Sequence, residues 1–135
     1  MIQYFSITTT FRNRIASLLK IKRGVYAGVT SEIVKEFNGK TIEQIRQNRD
    51  MILCENDVII IKLRLPDKRQ RLSRKDGYRL IYIVSKTQET VIFLDIYPKN
   101  GPSQQLSISE NRLTALLEEF TADAKAATLA PFDLH

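Results

Sequence analysis

Lys62 and Arg64 stand two residues apart in the run Val58 to Leu65, which is rich in β-branched and aliphatic side chains. In an extended strand, alternation puts both on one face, about 7 Å apart at their Cα atoms. Ile59, Ile61, Leu63 and Leu65 then form the opposite, apolar face. Arg79 opens a second such run, Gly77 to Val84, and Tyr97 and Lys99 lie at the end of a third, Val91 to Tyr97. In that third run Ile92, Leu94 and Ile96 are expected on one face, with Phe93, Asp95 and Tyr97 on the other. If the three runs are neighbours, three cations and a phenol meet on one surface. Such a set suits a phosphodiester: cations offset the charge added in the transition state when a 2′-OH attacks its own phosphate. A lysine whose pKa is lowered among other cations can take a proton. Tyr97 reads first as packing and second as an orienting or proton-carrying group, and Asp95 reads as a structural partner rather than a base.

The charge distribution points the same way. Residues 62–79 hold eight basic and two acidic side chains, and the rest of the chain is balanced at thirteen of each, so the whole excess of +6 sits in eighteen residues. A charge run is often only a solvated face. Here arginines outnumber lysines five to three, and arginine is the better bidentate phosphate ligand. The run also enters and leaves through apolar strands that hold it against the body of the domain. Lys68, Arg69, Arg71, Arg74 and Lys75 are thus expected to grip an RNA or DNA backbone. A membrane surface or an acidic protein partner would leave the same pattern.

Other classes are disfavoured by what the chain lacks. With one cysteine, Cys54, and one histidine, His135, there is no disulfide framework, no histidine or cysteine metal cluster and no histidine-based triad. Neither a metal nor a small-molecule cofactor is called for. The longest aliphatic run, Val58 to Ile61, is far short of a membrane span, and the N-terminus lacks the order of a signal peptide. A reduced, cytoplasmic setting is expected. Cys54 reads as a small buried apolar residue.

The elements that must hold these residues follow from periodicity. Ile2 to Thr9 reads as a short strand, and Thr8-Thr9-Thr10 supplies a cap for a helix with Phe11, Ile15, Leu18 and Leu19 on one face. A second helix is expected over Ser31 to Phe37. A third opens at the capping box Thr41-Ile42-Glu43-Gln44 and runs to about Asp50. Then the period changes to two for the three strand-like runs. A second capping box, Ser107-Ile108-Ser109-Glu110, begins a last helix over 108–126, whose Leu113, Leu116, Leu117 and Phe120 face the core. The tail Thr128 to His135, which contains Pro131, reads as a loose end or a partner contact. The expected class is α+β: N-terminal helices, then an antiparallel sheet of three to four strands, then a C-terminal helix.

Three strings carry a family resemblance: Ile61-Lys62-Leu63-Arg64, Gly77-Tyr78-Arg79-Leu80-Ile81-Tyr82 and Ile96-Tyr97-Pro98-Lys99-Asn100, followed by the Leu106 to Phe120 helix. In this order residues 58–120 resemble the RelE/HigB class of toxins from bacterial toxin–antitoxin pairs, within the RelE/ParE superfamily. The resemblance implies a metal-independent, ribosome-dependent mRNA endonuclease that inhibits translation and is neutralised by a cognate antitoxin. It assigns transcript binding and cleavage to Lys62, Arg64 and Arg79, and maps the basic position after the third strand to Lys99. Tyr97 stands in for a tyrosine that such toxins carry after that position. The loop 66–76 exceeds the tight connection of compact members. In these terms the chain is one domain: a mostly helical segment 1–57 packed on a RelE-like sheet and helix 58–127, with a tail 128–135. Two other functions share the scaffold or the charge, a ParE-like toxin that poisons DNA gyrase without cleaving RNA, and a plain RNA-binding module.

Overall fold

The computed structural model describes residues 1–47, 50–55 and 57–134. His135 and residues 48–49 lie outside the described residues; the third helix, expected to run to about Asp50, ends at Arg46 with Gln47 as its C-cap. Strands β3 (Val58–Leu65), β4 (Tyr78–Ser85) and β5 (Thr90–Pro98) form the antiparallel centre of the sheet. Their β-branched and aromatic content suits a pleated surface packed on both sides, and every residue of β4 is buried.

The expected class, helices followed by three or four strands, is corrected. Among the described residues the fold is a mixed α/β arrangement of four helices and a six-stranded, mostly antiparallel sheet in the order β2-β3-β4-β5-β1-β6. Strand β1 (Gln3–Ser6) comes before any helix and pairs in parallel with β5. Strand β2 (Met51–Glu55) extends the other edge beside β3. Strand β6 (Ala130–Pro131) returns from the C-terminal tail onto β1. The tail is therefore anchored: the Phe132 ring packs 4.9 Å from that of Phe93, centroid to centroid. The segment 1–57 thus contributes two strands as well as helices.

Cross-strand register defines the two faces. One carries Leu63, Leu65, Tyr78, Leu80, Tyr82, Phe93 and Ile96, and is covered by α1 (Thr10–Leu19), α2 (Val29–Phe37) and α3 (Ile42–Arg46). Phe37 of α2 meets Tyr82 and Phe93, each at 5.2 Å, and the Tyr82 hydroxyl donates to the Ile45 carbonyl at 3.0 Å. The other face carries Ile60, Lys62, Arg64, Arg79, Ile81, Ile83, Ile92, Asp95 and Tyr97. Helix α4 (Glu110–Ala126) lies over part of it and buries Leu116. The face expected for Ile92 and Phe93 is reversed. The register slips between Ile81 and Tyr82, leaving an extra residue on β5, so Ile92 joins Asp95 and Phe93 joins Ile96.

Helix starts also differ in detail. Thr41 and Gln44 form the expected reciprocal cap. Helix α4 starts at Glu110 with Ser109 as its cap, not Ser107. No threonine side chain caps α1; two carboxylates of α4 take that place. Glu119 accepts from the Thr9 and Thr10 amides, and Asp123 accepts from the Thr8 amide at 2.9 Å and its hydroxyl at 2.7 Å. Cys54, expected inside, is exposed on the edge strand. Among the described residues no helix is long and apolar enough to cross a membrane.

Candidate nucleic-acid interface

Arg64, Arg79 and Tyr97 fall in one cross-strand row, Arg64 opposite Arg79 and Arg79 opposite Tyr97. The next row holds Lys62, Ile81 and Asp95. Four of the five residues expected to do chemistry are thereby brought onto one surface. Lys99 follows β5 directly, where its amide donates to the Gly77 carbonyl at 2.9 Å. Gly77 has a steric reason to be glycine: a Cβ there would sit 2.1 Å from the Leu65 carbonyl oxygen. Without a side chain, β4 can start tight against the end of β3, which sets the register of the row.

The members of the row differ in what they can reach. Arg64 is exposed and makes an ion pair with Asp50 at 3.6 Å. Lys62 is half-buried. Arg79 is 5% exposed, and its guanidinium points back into the protein. It donates to the carbonyls of Lys75 at 2.7 Å, Arg74 at 3.0 Å and Tyr78 at 3.1 Å. Burial, and then the adjacent Arg64, pull its pKa below the ordinary guanidinium value. Tyr97 is fully buried, and its hydroxyl finds no hydrogen-bond partner among the described residues. Burial lifts that phenol above its usual pKa, which opposes a role as a proton carrier near neutrality.

The basic loop 66–76 is an ordered element. Asp67 and Leu72 pair as an isolated bridge around a 3₁₀ turn, Lys68–Gln70, whose start is capped by the Asp67 carboxylate. The loop is docked on α2 through two acids that sequence reasoning missed, Glu32 and Glu36, both largely buried. Glu32 accepts from the Lys68 amide at 2.7 Å. Glu36 pairs with Arg74 and with Lys40, each at 2.7 Å. Burial alone would raise the Glu36 pKa, but the Arg74 and Lys40 hydrogen bonds prevail and hold it below the usual carboxylate value. Arg69 donates to the Gly24 carbonyl at 2.7 Å, and Arg74 also reaches the Arg64 carbonyl at 2.9 Å. The spacing of Glu32 and Glu36 one turn apart, beside Val29, Ile33 and Phe37, was the available sign of a buried acidic stripe.

The eight cations of residues 62–79 therefore divide into two groups. Arg64, Arg69, Arg74 and Arg79 are engaged with protein groups. Among the described residues the side chains of Lys62, Lys68, Arg71 and Lys75 have no hydrogen bond or ion pair, and the last three are exposed. Asp95 is a structural partner, as expected, pairing with Arg14 and Arg112. The arrangement is a cationic surface built on a rigid strand row with a latched basic loop beside it. No family model matches the chain, and no curated protein matches it.

Proposed function

We propose that the protein is a toxin-type endoribonuclease that cleaves mRNA on the ribosome and is neutralised by a cognate antitoxin. The carrying observation is the common face of Lys62, Arg64 and Arg79 on adjacent strands, with the unpaired cations of the loop beside it. In this reading Lys62 and Arg64 contact the scissile phosphate and offset its added charge. Lys68, Arg71 and Lys75 hold the neighbouring backbone, and Lys99 contributes at the end of β5. Arg79 acts by fixing the loop and by adding positive potential behind the phosphate. Tyr97 packs beneath the surface and sets its shape. The antitoxin would present acidic groups to the same face, and the activity would be exercised in the cytoplasm.

The test is cell-free translation with mapping of mRNA 5′ ends, comparing the wild type with Lys62→Ala and Arg64→Ala. Cuts inside codons that require ribosomes and fall at least tenfold in both variants support the reading. Translation that proceeds on intact message overturns it. A second reading, a toxin that binds without cutting, is favoured by one observation: the donors of Arg79 are spent on backbone carbonyls. Inhibition of DNA gyrase supercoiling with no RNA product would establish that reading instead.

A further inference from the structure

A polar pocket of about 460 Å³ lies between α1, the loop before α4, and α4 itself, lined by Thr10, Asn13, Arg14, Ser17, Ser103 and Arg112. Two of these lining residues, arginines from different helices, converge on one carboxylate, Asp95, which is fully buried. Arg14 holds Asp95 side-on, with Nε 3.2 Å from Oδ1 and Nη2 3.3 Å from Oδ2, and gives Nη1 to the Gln105 side chain at 3.2 Å. Arg112 uses only Nε, at 3.3 Å from Oδ2. Its two terminal nitrogens make no hydrogen bond or ion pair among the described residues. Asp95 also accepts from the Ile96 amide at 2.9 Å, so its oxygens are well occupied.

The charges around the pocket are balanced: the guanidinium groups of Arg14 and Arg112 face the carboxylates of Asp95 and of Glu119, which is held on the pocket-lining Thr10 by the Thr9 and Thr10 amides and the Thr10 hydroxyl. What the pocket offers an anion is therefore its set of unengaged donors rather than a net positive charge. The side chains of Asn13, Ser17 and Ser103 add further donors that make no hydrogen bonds among the described residues. A planar fork with free N–H groups, flanked by hydroxyls and an amide, is the donor set that suits a tetrahedral oxyanion. A bare phosphate fills only part of such a volume, whereas pockets of this size accommodate small organic ligands.

We infer that this pocket is a binding site for a nucleotide-sized phosphate monoester, with Arg112 as its principal phosphate ligand and Ser17, Asn13 and Ser103 completing the shell. The site does not depend on the cleavage reading, because it lies on α1 and α4 and needs no ribosome. It is tested by isothermal titration of the intact protein with adenosine 5′-monophosphate and with inorganic phosphate, at ionic strength held constant with potassium chloride. The expected result is saturable one-to-one binding of the nucleotide, weakened at least tenfold by Arg112→Gln. Ser17→Glu, at an exposed position, should weaken it as much by placing a negative charge in the pocket, and it covers the case in which Arg112→Gln does not fold. Lys35→Gln, at an exposed position on α2, should leave it within twofold. Absence of saturable binding overturns the inference. So does equal weakening by Lys35→Gln, which would show general attraction to a basic protein.

Discussion

Substituting Arg79 by alanine should release the basic loop before it does anything else. The side chain is nearly fully buried and makes three hydrogen bonds, two of them to loop carbonyls. Hydrogen bonds from a charged group contribute about 1.5–3 kcal/mol each, so three would reach at most about 9 kcal/mol. They share one guanidinium whose own desolvation opposes them, and the freed carbonyls of Arg74 and Lys75 rehydrate once the loop lifts. About 3 kcal/mol should remain as the net loss, a value typical of a disrupted buried network. With an unfolding entropy of about 2.1 cal/mol/K per residue, a chain of this length loses about 3–4 °C per kcal/mol. The melting temperature should therefore fall by about 10 °C, and amide exchange in residues 66–76 should rise while that of β4 and β5 changes little. Arg79→Lys should recover only a fraction, since one ammonium cannot span three carbonyls. A melting temperature within about 2 °C of wild type and an unchanged loop, with cleavage lost, would refute this reasoning and make Arg79 a direct contact to RNA. If the loop does open, lost cleavage in Arg79→Ala says nothing about catalysis, and Lys62 and Arg64 become the diagnostic positions.

Gly77→Ala should cost about 3 kcal/mol or more, because its Cβ would meet backbone atoms of Leu65, Pro66 and Asp67 that cannot rotate away; a melting curve that coincides with wild type would sink the close-approach argument. Glu36 has a folded pKa below its unfolded value of about 4.3, so its contribution is complete above that pH and lost as pH falls through the folded value. Glu36→Gln should lower the urea midpoint at neutral pH, and the gap to wild type should close on acidification below about pH 4.3; a gap independent of pH counts against it. Tyr97→Phe removes a buried hydroxyl without a partner among the described residues, so stability should hold or rise by about 1 kcal/mol. A fall of that size would show that the hydroxyl is bonded in solution. For single-stranded RNA the salt slope should be near −4 in log–log form, about 0.7 for each of the six cations proposed to meet it, Lys62, Arg64, Lys68, Arg71, Lys75 and Lys99. A slope near −6 would mean that the whole run contacts RNA and that the loop's arginines leave their protein partners.

The central strands were legible because their chemistry is local. Val58–Leu65 and Tyr78–Ser85 alternate or run apolar for a full strand length, and turn residues bound them. The faces of β3 followed directly, so Lys62 and Arg64 could be placed together before any coordinates. The third strand shows where this stops. An extra residue in β5 shifts every position on its N-terminal side to the opposite face, and nothing local to Phe93, Leu94 or Asp95 announces a bulge. Strand β2 was missed because all five of its residues are exposed and carry no burial pattern. Strand β6 is two residues long, and only pairing with β1, some 125 residues away, creates it.

The candidate site was legible as charge and illegible as bonding. A run of basic residues in a sequence carries no information on which of them the fold consumes. Here the assignment is made by α2, whose Glu32 and Glu36 face a loop more than thirty residues downstream, and by Arg79, which turns inward to bind the loop that precedes it. Arginine is the residue suited to this internal work, because one planar fork can satisfy several carbonyl or carboxylate acceptors at once. The same property that made the arginine excess look like a phosphate grip thus makes arginines the first cations withdrawn into the structure. Three of the four unengaged cations are lysines, with Arg71 the exception. The surface offered to a partner is accordingly less arginine-rich than the sequence suggests: it is a set of unengaged ammonium groups around one unengaged guanidinium, Arg71, with the exposed Arg64 close by and paired with Asp50 at 3.6 Å. Such a surface suits recognition of a flexible, single-stranded backbone by charge rather than by fixed bidentate geometry. If the protein cleaves RNA as proposed, any sequence preference would come from what the Lys62–Arg64 strand does to the phosphate placed on it.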